Sequence, residues 1–257
     1  MDLSGKVAIV TGAGWGIGRG TALRLAREGV AVVASDVEAD EGLVGARETV
    51  RQIEGDGGRA GVFGADAADG DGWRALVAFS EESFGGVDVL VNNAGGFRSP
   101  SYPDAPPEHW RRALEVNLHG VMLGIQAVLE PMRRRGGGAI VNVSSVAGLV
   151  DEPYDAPEYA AAKAGVIALT AALGSLRERD NISVTCICPD WVATEAVTRS
   201  VEAMTPAERA EKVRGLVPVD EIAELIVGLA RDETLSGRVL VRWADEEGAR
   251  LLPLGRR

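Results

Sequence analysis

The chain has 257 residues, 46% of them apolar, and a formal net charge of −11. Such an acidic balance repels a phosphate backbone, and no apolar run reaches the ~18 residues of a membrane span, so neither nucleic acid nor membrane is an expected partner. The length suits one α/β domain over residues 1–257, and Met1-Asp-Leu-Ser lacks the basic and apolar stretches of a secretory signal, which makes the cytoplasm the expected compartment.

The first 28 residues read as one unit: an apolar strand Val7-Ala-Ile-Val10, a loop TGAGWGIG over Thr11 to Gly18, and a helix through Glu28. A strand that ends in glycines and restarts as a helix brings bare backbone N–H groups and the positive end of a helix dipole to one place, which is a cradle for phosphate. The glycines at 12, 16 and 18 follow G-x-x-x-G-x-G. Neither G-x-G-x-x-G nor a P-loop occurs.

Strands are then expected at Ala31 to Asp36 and Arg59 to Gly64, with an amphipathic helix from Ala39 to Glu54 between them and a helix capped by Asp69 that reaches Phe84. Val87 to Val91 is the fourth strand. Asn92-Asn-Ala-Gly95 and a proline-dense loop follow it, then a long helix over Pro107 to Arg134 stopped by Gly136-Gly-Gly138. Ala139 to Val143 makes strand five with Ser144-Ser145 at its end, and a helix over Pro157 to Arg179 carries a smooth Ala-rich face. Ser183 to Cys188, a helical stretch over 194–216 with weak apolar periodicity, a helix at Val219 to Arg231 and a strand at Arg238 to Trp243 complete the chain. Residues 244–252 read as a charged turn and tail, and 194–216 as a mobile lid. Strands separated by helices imply a doubly wound parallel sheet of seven strands with helices on both faces and ligands at the carboxyl ends.

The chemistry-bearing residues fall at those ends. Asp36 follows strand two where an acid accepts hydrogen bonds from an adenosine ribose, and Asp66 and Asn93 end strands three and four beside the same crevice. Tyr159 and Lys163 lie four apart on one helix and so share a face. An ammonium near a phenol draws its pKa down toward the range where proton transfer is feasible. Ser145 ends the neighbouring strand within reach of the same oxygen. Cys186 and Cys188 share one face of a strand and read as small buried residues, and with only His109 and His119 besides them no metal site is expected. A serine hydrolase is excluded, because no G-x-S-x-G surrounds Ser144 or Ser145.

Taken together, Thr11 to Gly18, Asn92 to Gly95 and the Asn117, Ser145, Tyr159, Lys163 set resemble the short-chain dehydrogenase/reductase family over residues 6–243. The resemblance implies a Rossmann fold. It also implies that Gly12, Gly14, Trp15, Gly16, Ile17 and Gly18 bind a dinucleotide pyrophosphate, that Asn93 supports the adenine side, and that Val192 and Thr194 contact the nicotinamide carboxamide. By the same likeness Tyr159 is the general acid-base, Lys163 holds the nicotinamide ribose, Ser145 orients the substrate oxygen and Asn117 anchors a water relay.

Two departures stand out. Asp190 replaces the glycine usual after Pro189, and the last strand lacks the Asp-Gly-Gly ending, which puts tetramer contacts in question. Asp36 without a neighbouring cation favours NAD as cofactor, with Arg19 expected to point to solvent. The expected activity is oxidation of a small-molecule secondary alcohol or reduction of its ketone, in a homodimer or homotetramer. Asp151, Glu152, Asp155, Glu158 and Asp190 favour neutral or cationic substrates over carboxylates. The alternatives are a 3-oxoacyl-thioester reductase, with Arg133, Arg134 and Arg135 as a carrier-protein patch, and a dinucleotide sensor without turnover.

Overall fold

The structure is a computed structural model that describes residues 1–38, 41–97, 99–149 and 154–253. Alternation is complete through the first half: β1 (Val7–Thr11), α1 (Gly16–Arg27), β2 (Ala31–Asp36), α2 (Gly42–Gly55), β3 (Ala60–Gly64), α3 (Gly70–Phe84) and β4 (Val89–Asn92). The expected helix start at Ala39 lies outside the described residues. The second half holds α4 (Pro107–Leu114), α5 (Gly120–Arg134), β5 (Gly138–Val143), α6 (Pro157–Ala172), α7 (Leu176–Asp180) and β6 (Ile182–Pro189), then α8 (Glu195–Ala203), α9 (Pro206–Lys212), α10 (Val219–Arg231), β7 (Val239–Arg242) and β8 (Arg250–Leu251).

The sheet order is β3-β2-β1-β4-β5-β6-β7-β8, parallel as far as β7. Successive side chains of a strand point to opposite faces. Along β1, therefore, Ala8 and Val10 join the core under α1, α2 and α10, while Ile9 joins the core under α3, α5 and α6. Both faces are covered, so the strands are almost uninterrupted apolar runs, as parallel sheets require. The chain crosses over between β1 and β4, and a crevice opens at their carboxyl ends.

Four expectations change. Among the described residues the sheet has eight strands, because Arg250–Leu251 pairs antiparallel with β7, Leu240 opposite Leu251. The helix over 107–134 contains a π-helical turn, Glu115–His119, between α4 and α5. The helix over 157–179 breaks after Ala172, where Gly174 runs so close to Gly237 that a β-carbon on it would lie 3.0 Å from the Gly237 Cα. The segment 194–216 is two short helices, α8 and α9, and Thr205 and Glu208 form a reciprocal cap that starts the second.

Candidate active site

The glycine loop is tied to the end of β4. Thr11 Oγ1 accepts from the N–H groups of Asn93 and Ala94, both at 3.0 Å, and Asn93 Nδ2 donates to the carbonyls of Thr11 and Gly12 at 2.9 and 3.2 Å. Asn93 thus braces the loop. A β-carbon on Gly18 would lie 2.0 Å from the Gly12 carbonyl oxygen, so α1 starts this close only with glycine there. Gly14 lies against the Asp36 carboxylate: Asp36 Oδ2 accepts from Gly14 N–H and Oδ1 from Val37 N–H, each at 2.8 Å. Burial raises the Asp36 pKa above the usual carboxylate value, and these two amides oppose the rise.

Arg19 does not point to solvent. Its guanidinium folds back over the Trp15 ring at 4.6 Å, with Nη2 donating to the Gly14 carbonyl and Nε donating to Thr49 Oγ1 at 3.2 Å. An aromatic face and a loop carbonyl offered together outweigh free hydration. Glu195 carries no signal in the local pattern, yet its Oε2 accepts from Gly16 N–H at 3.1 Å at the start of α1. A carboxylate on that amide marks an anion site, because the helix dipole favours negative charge there.

Thr11, Gly12, Asp36, Asp66, Ala94 and Arg112 line a crevice beside this loop. Asp66 accepts from Arg112 Nη2 at 2.7 Å and from Ala68 N–H at 2.9 Å. Partial burial works to raise its pKa, but Arg112 and the Ala68 amide outweigh it and hold the carboxyl low. A crevice with a carboxylate at Asp36, a second at Asp66 and an anion site at Gly16 fits a dinucleotide. Gly12, Gly14, Trp15, Gly16, Ile17, Gly18, Asp36, Asp66 and Asn93 are the residues that would hold its adenosine and pyrophosphate.

Further along the carboxyl edge, the four remaining polar residues come together. Tyr159 and Lys163 share a face of α6, with Lys163 Nζ 5.5 Å from the Tyr159 ring centre. Ser145 follows β5 and caps the turn Val146–Gly148 by accepting from Ala147 N–H at 3.2 Å. Ser144 Oγ donates to the Lys163 carbonyl at 2.7 Å, which clamps α6 to the end of β5. Asn117 sits in the π turn, fully buried. Its Nδ2 donates to Gly96 and Ala113 carbonyls at 2.6 and 2.8 Å, and its Oδ1 accepts from Gly96 N–H at 3.0 Å. Gly95 separates it from Lys163: a β-carbon there would lie 2.5 Å from Asn117 Oδ1 and 3.2 Å from Lys163 Nζ.

The electrostatics differ from the simple ammonium-phenol pair expected from spacing. Lys163 is buried, Nζ donates to the Val143 carbonyl at 2.9 Å, and burial lowers its pKa from 10.5 to about 8. Burial also raises the Tyr159 pKa, with the nearby Ser145 hydroxyl opposing it. Desolvation thus acts on both groups and favours the neutral phenol, the form that donates a proton.

Val192 is buried and bridges to Val217, and Thr194 caps α8 by accepting from Val197 N–H at 3.3 Å. Asp190 accepts from Ala244 N–H at 3.1 Å, fixing the turn after β7. Of the other expected acids, Asp155 pairs with Lys212 at 2.6 Å and Glu158 is buried, accepting from Tyr102 N–H at 3.2 Å. Asp151 and Glu152 lie outside the described residues.

Residues 6–205 match the family described as short chain dehydrogenase. The chain belongs to the short-chain dehydrogenase/reductase family. It is 38% identical over 239 residues to an L-rhamnose 1-dehydrogenase (NAD(P)(+)) of Azotobacter vinelandii, covering 90% of this chain and 92% of that protein. It is 33% identical to a 3-oxoacyl-(acyl-carrier-protein) reductase of Thermotoga maritima, covering 93% and 97%. The crystal structure of levodione reductase superposes with a TM-score of 0.82 at 30% identity, covering 93% of this chain and 96% of that one. The protein is thus an oxidoreductase of this family, whose members use NAD(P) and act on small molecules.

Proposed function

We propose that this short-chain dehydrogenase/reductase interconverts a secondary alcohol and its ketone, with NAD(H) as the preferred cofactor. The observation that carries the reading is the convergence of Tyr159, Ser145, Lys163 and Asn117 at the carboxyl ends of β4 and β5, beside the crevice. The bound dinucleotide supplies the hydride acceptor or donor. Tyr159 Oη donates its proton to the carbonyl oxygen in reduction and takes the alcohol proton back in oxidation. Ser145 Oγ shares that oxygen and orients it. Lys163 binds the nicotinamide ribose and, once that ribose is in place, favours the phenolate. Asn117 fixes the Gly95-Gly96 backbone beside Lys163 and anchors the relay water there, and Val192 and Thr194 contact the carboxamide. Residues 194–216 act as the lid, a role that fits the single buried residue of α8 and the absence of buried residues in α9. The small residues of α6 serve a homodimer: Gly165 receives Leu118 of its own chain, while Ala161 and Ala164 stay exposed for a partner helix.

In the acyl-thioester alternative the basic patch is partly neutralised, because Arg133, Arg134 and Arg135 pair with Asp180, Glu81 and Asp88. Absorbance at the nicotinamide band, with a panel of alcohols and ketones and each of NAD(H) and NADP(H), tests the proposal. Turnover confined to acyl thioesters, or binding of dinucleotide with no turnover at all, would overturn it.

A further inference from the structure

Two half-exposed aromatic rings stand against the Tyr159 ring. Phe97, on the loop after β4, has its ring centre 5.2 Å from that of Tyr159 at an interplanar angle of 53°, and is 49% exposed. Tyr154, just ahead of α6, lies 6.4 Å away at 21° and is 36% exposed. Large apolar surfaces left facing solvent around a reactive hydroxyl mark where the carbon skeleton of a ligand goes. The two rings come from different loops, one after β4 and one ahead of α6, and both lie against the Tyr159 ring.

On the reading of Tyr159 as the proton donor, a substrate oxygen at hydrogen-bond distance from its Oη places the attached carbons alongside these two rings. A flat or puckered hydrocarbon ring meets them at the offset or tilted separations, ~4.5–7 Å, that aromatic contacts prefer. A straight chain of the same carbon number offers less simultaneous contact and loses more rotamer freedom on binding. Charge narrows the class further. Burial, and behind it the nearby Asp155 and Asp190, raises the Tyr154 pKa, and the faces of two aromatic rings offer a substrate carboxylate no donor to replace its water.

We propose that the substrate is an uncharged secondary alcohol, or its ketone, whose carbinol carbon is part of a ring or bears one, held by Phe97 and Tyr154. The measurement is kcat/KM, with the preferred dinucleotide saturating, for cyclohexanol, a straight-chain secondary hexanol, α-methylbenzyl alcohol and mandelate. The ring alcohols are expected to exceed the straight chain by about tenfold or more, two contacts of typical aromatic strength together supplying that factor. Mandelate is expected to fall about tenfold or more below α-methylbenzyl alcohol.

Phe97→Leu and Tyr154→Leu should each lower the ratio of cyclohexanol to straight-chain turnover by about three- to tenfold, and Tyr154→Phe should keep it, since the ring and not the hydroxyl makes the contact. Equal use of ring and chain, faster turnover of mandelate, or leucine variants that lower both alcohols alike would overturn the proposal and leave the alcohol dehydrogenase reading intact. No turnover of any secondary alcohol or ketone with either cofactor would overturn both.

Discussion

Lys163 is expected to destabilise the fold that holds it, and the sign of this effect with pH is a demanding test of the site. Its pKa is lowered from 10.5 to about 8 by burial, so between those values the unfolded chain binds one proton more than the folded one. Stability then rises with pH through that window, by about 3 kcal/mol at ~1.36 kcal/mol per pKa unit. Above 10.5 the contribution is nil, and below about 8 the full cost of the buried ammonium is present. Lys163→Met removes the charge and keeps the stem. It also leaves the Val143 carbonyl without its donor, which costs about 1–3 kcal/mol at every pH.

Near pH 7 the two effects nearly cancel, and the variant should match the wild type or exceed it by about 1–2 kcal/mol. Urea unfolding of both proteins at steps from pH 7 to 10.5 measures the difference, in which other titrating groups drop out. The wild type should gain about 3 kcal/mol on the variant between pH 8 and 10.5. A difference that stays flat, or moves the other way, would refute a desolvated ammonium at Lys163.

Tyr159→Phe should reduce kcat by about 10²–10⁴-fold while dinucleotide affinity stays within a few-fold, as read by steady-state kinetics and fluorescence titration. Asp36→Ala should erase most of a preference for NAD over NADP of about 10²-fold, because a carboxylate facing a phosphate at ~4 Å costs about 4 kcal/mol before rearrangement relieves part of it; an unchanged kcat/KM ratio would remove Asp36 from the cofactor site. Glu195→Gln should tighten dinucleotide binding by about three- to tenfold, since an anion that competes with the pyrophosphate for Gly16 N–H is gone, and a weaker Kd by titration calorimetry would contradict this. Light scattering at micromolar concentration should give the mass of a dimer or a tetramer, and a monomer would count against the α6 interface.

The strands and most helices were legible because each announces itself locally. Apolar runs of buried strands alternate with amphipathic stretches, and glycines mark the loop where only a missing β-carbon permits the approach of Gly18 to Gly12. That Tyr159 and Lys163 share one helix face was legible from their four-residue spacing. What escaped depends on packing that residue spacing does not carry. β8 has two residues and exists because Leu251 finds Leu240. Arg19 turns inward because Trp15 and the Gly14 carbonyl meet it, and Glu195 reaches Gly16 across 179 positions. The direction of the pKa shifts at Tyr159 and Lys163 also escaped, since spacing gives the pair and only packing gives its dryness.

The π turn at Glu115–His119 makes one continuous rod serve two registers. An extra residue in a turn advances the helix by ~100°, so Asn117 within it can grip the Gly96 backbone while the stretch after it aims Val121, Ile125, Val128 and Met132 at the sheet. Deleting any one residue from this turn would restore ordinary pitch and force a choice: the core contacts of α5 or the grip of Asn117 on Gly96. Unlike a surface loop, this segment therefore has a fixed length, and a chain shortened there could fold with its proton-transfer site uncoupled from its core.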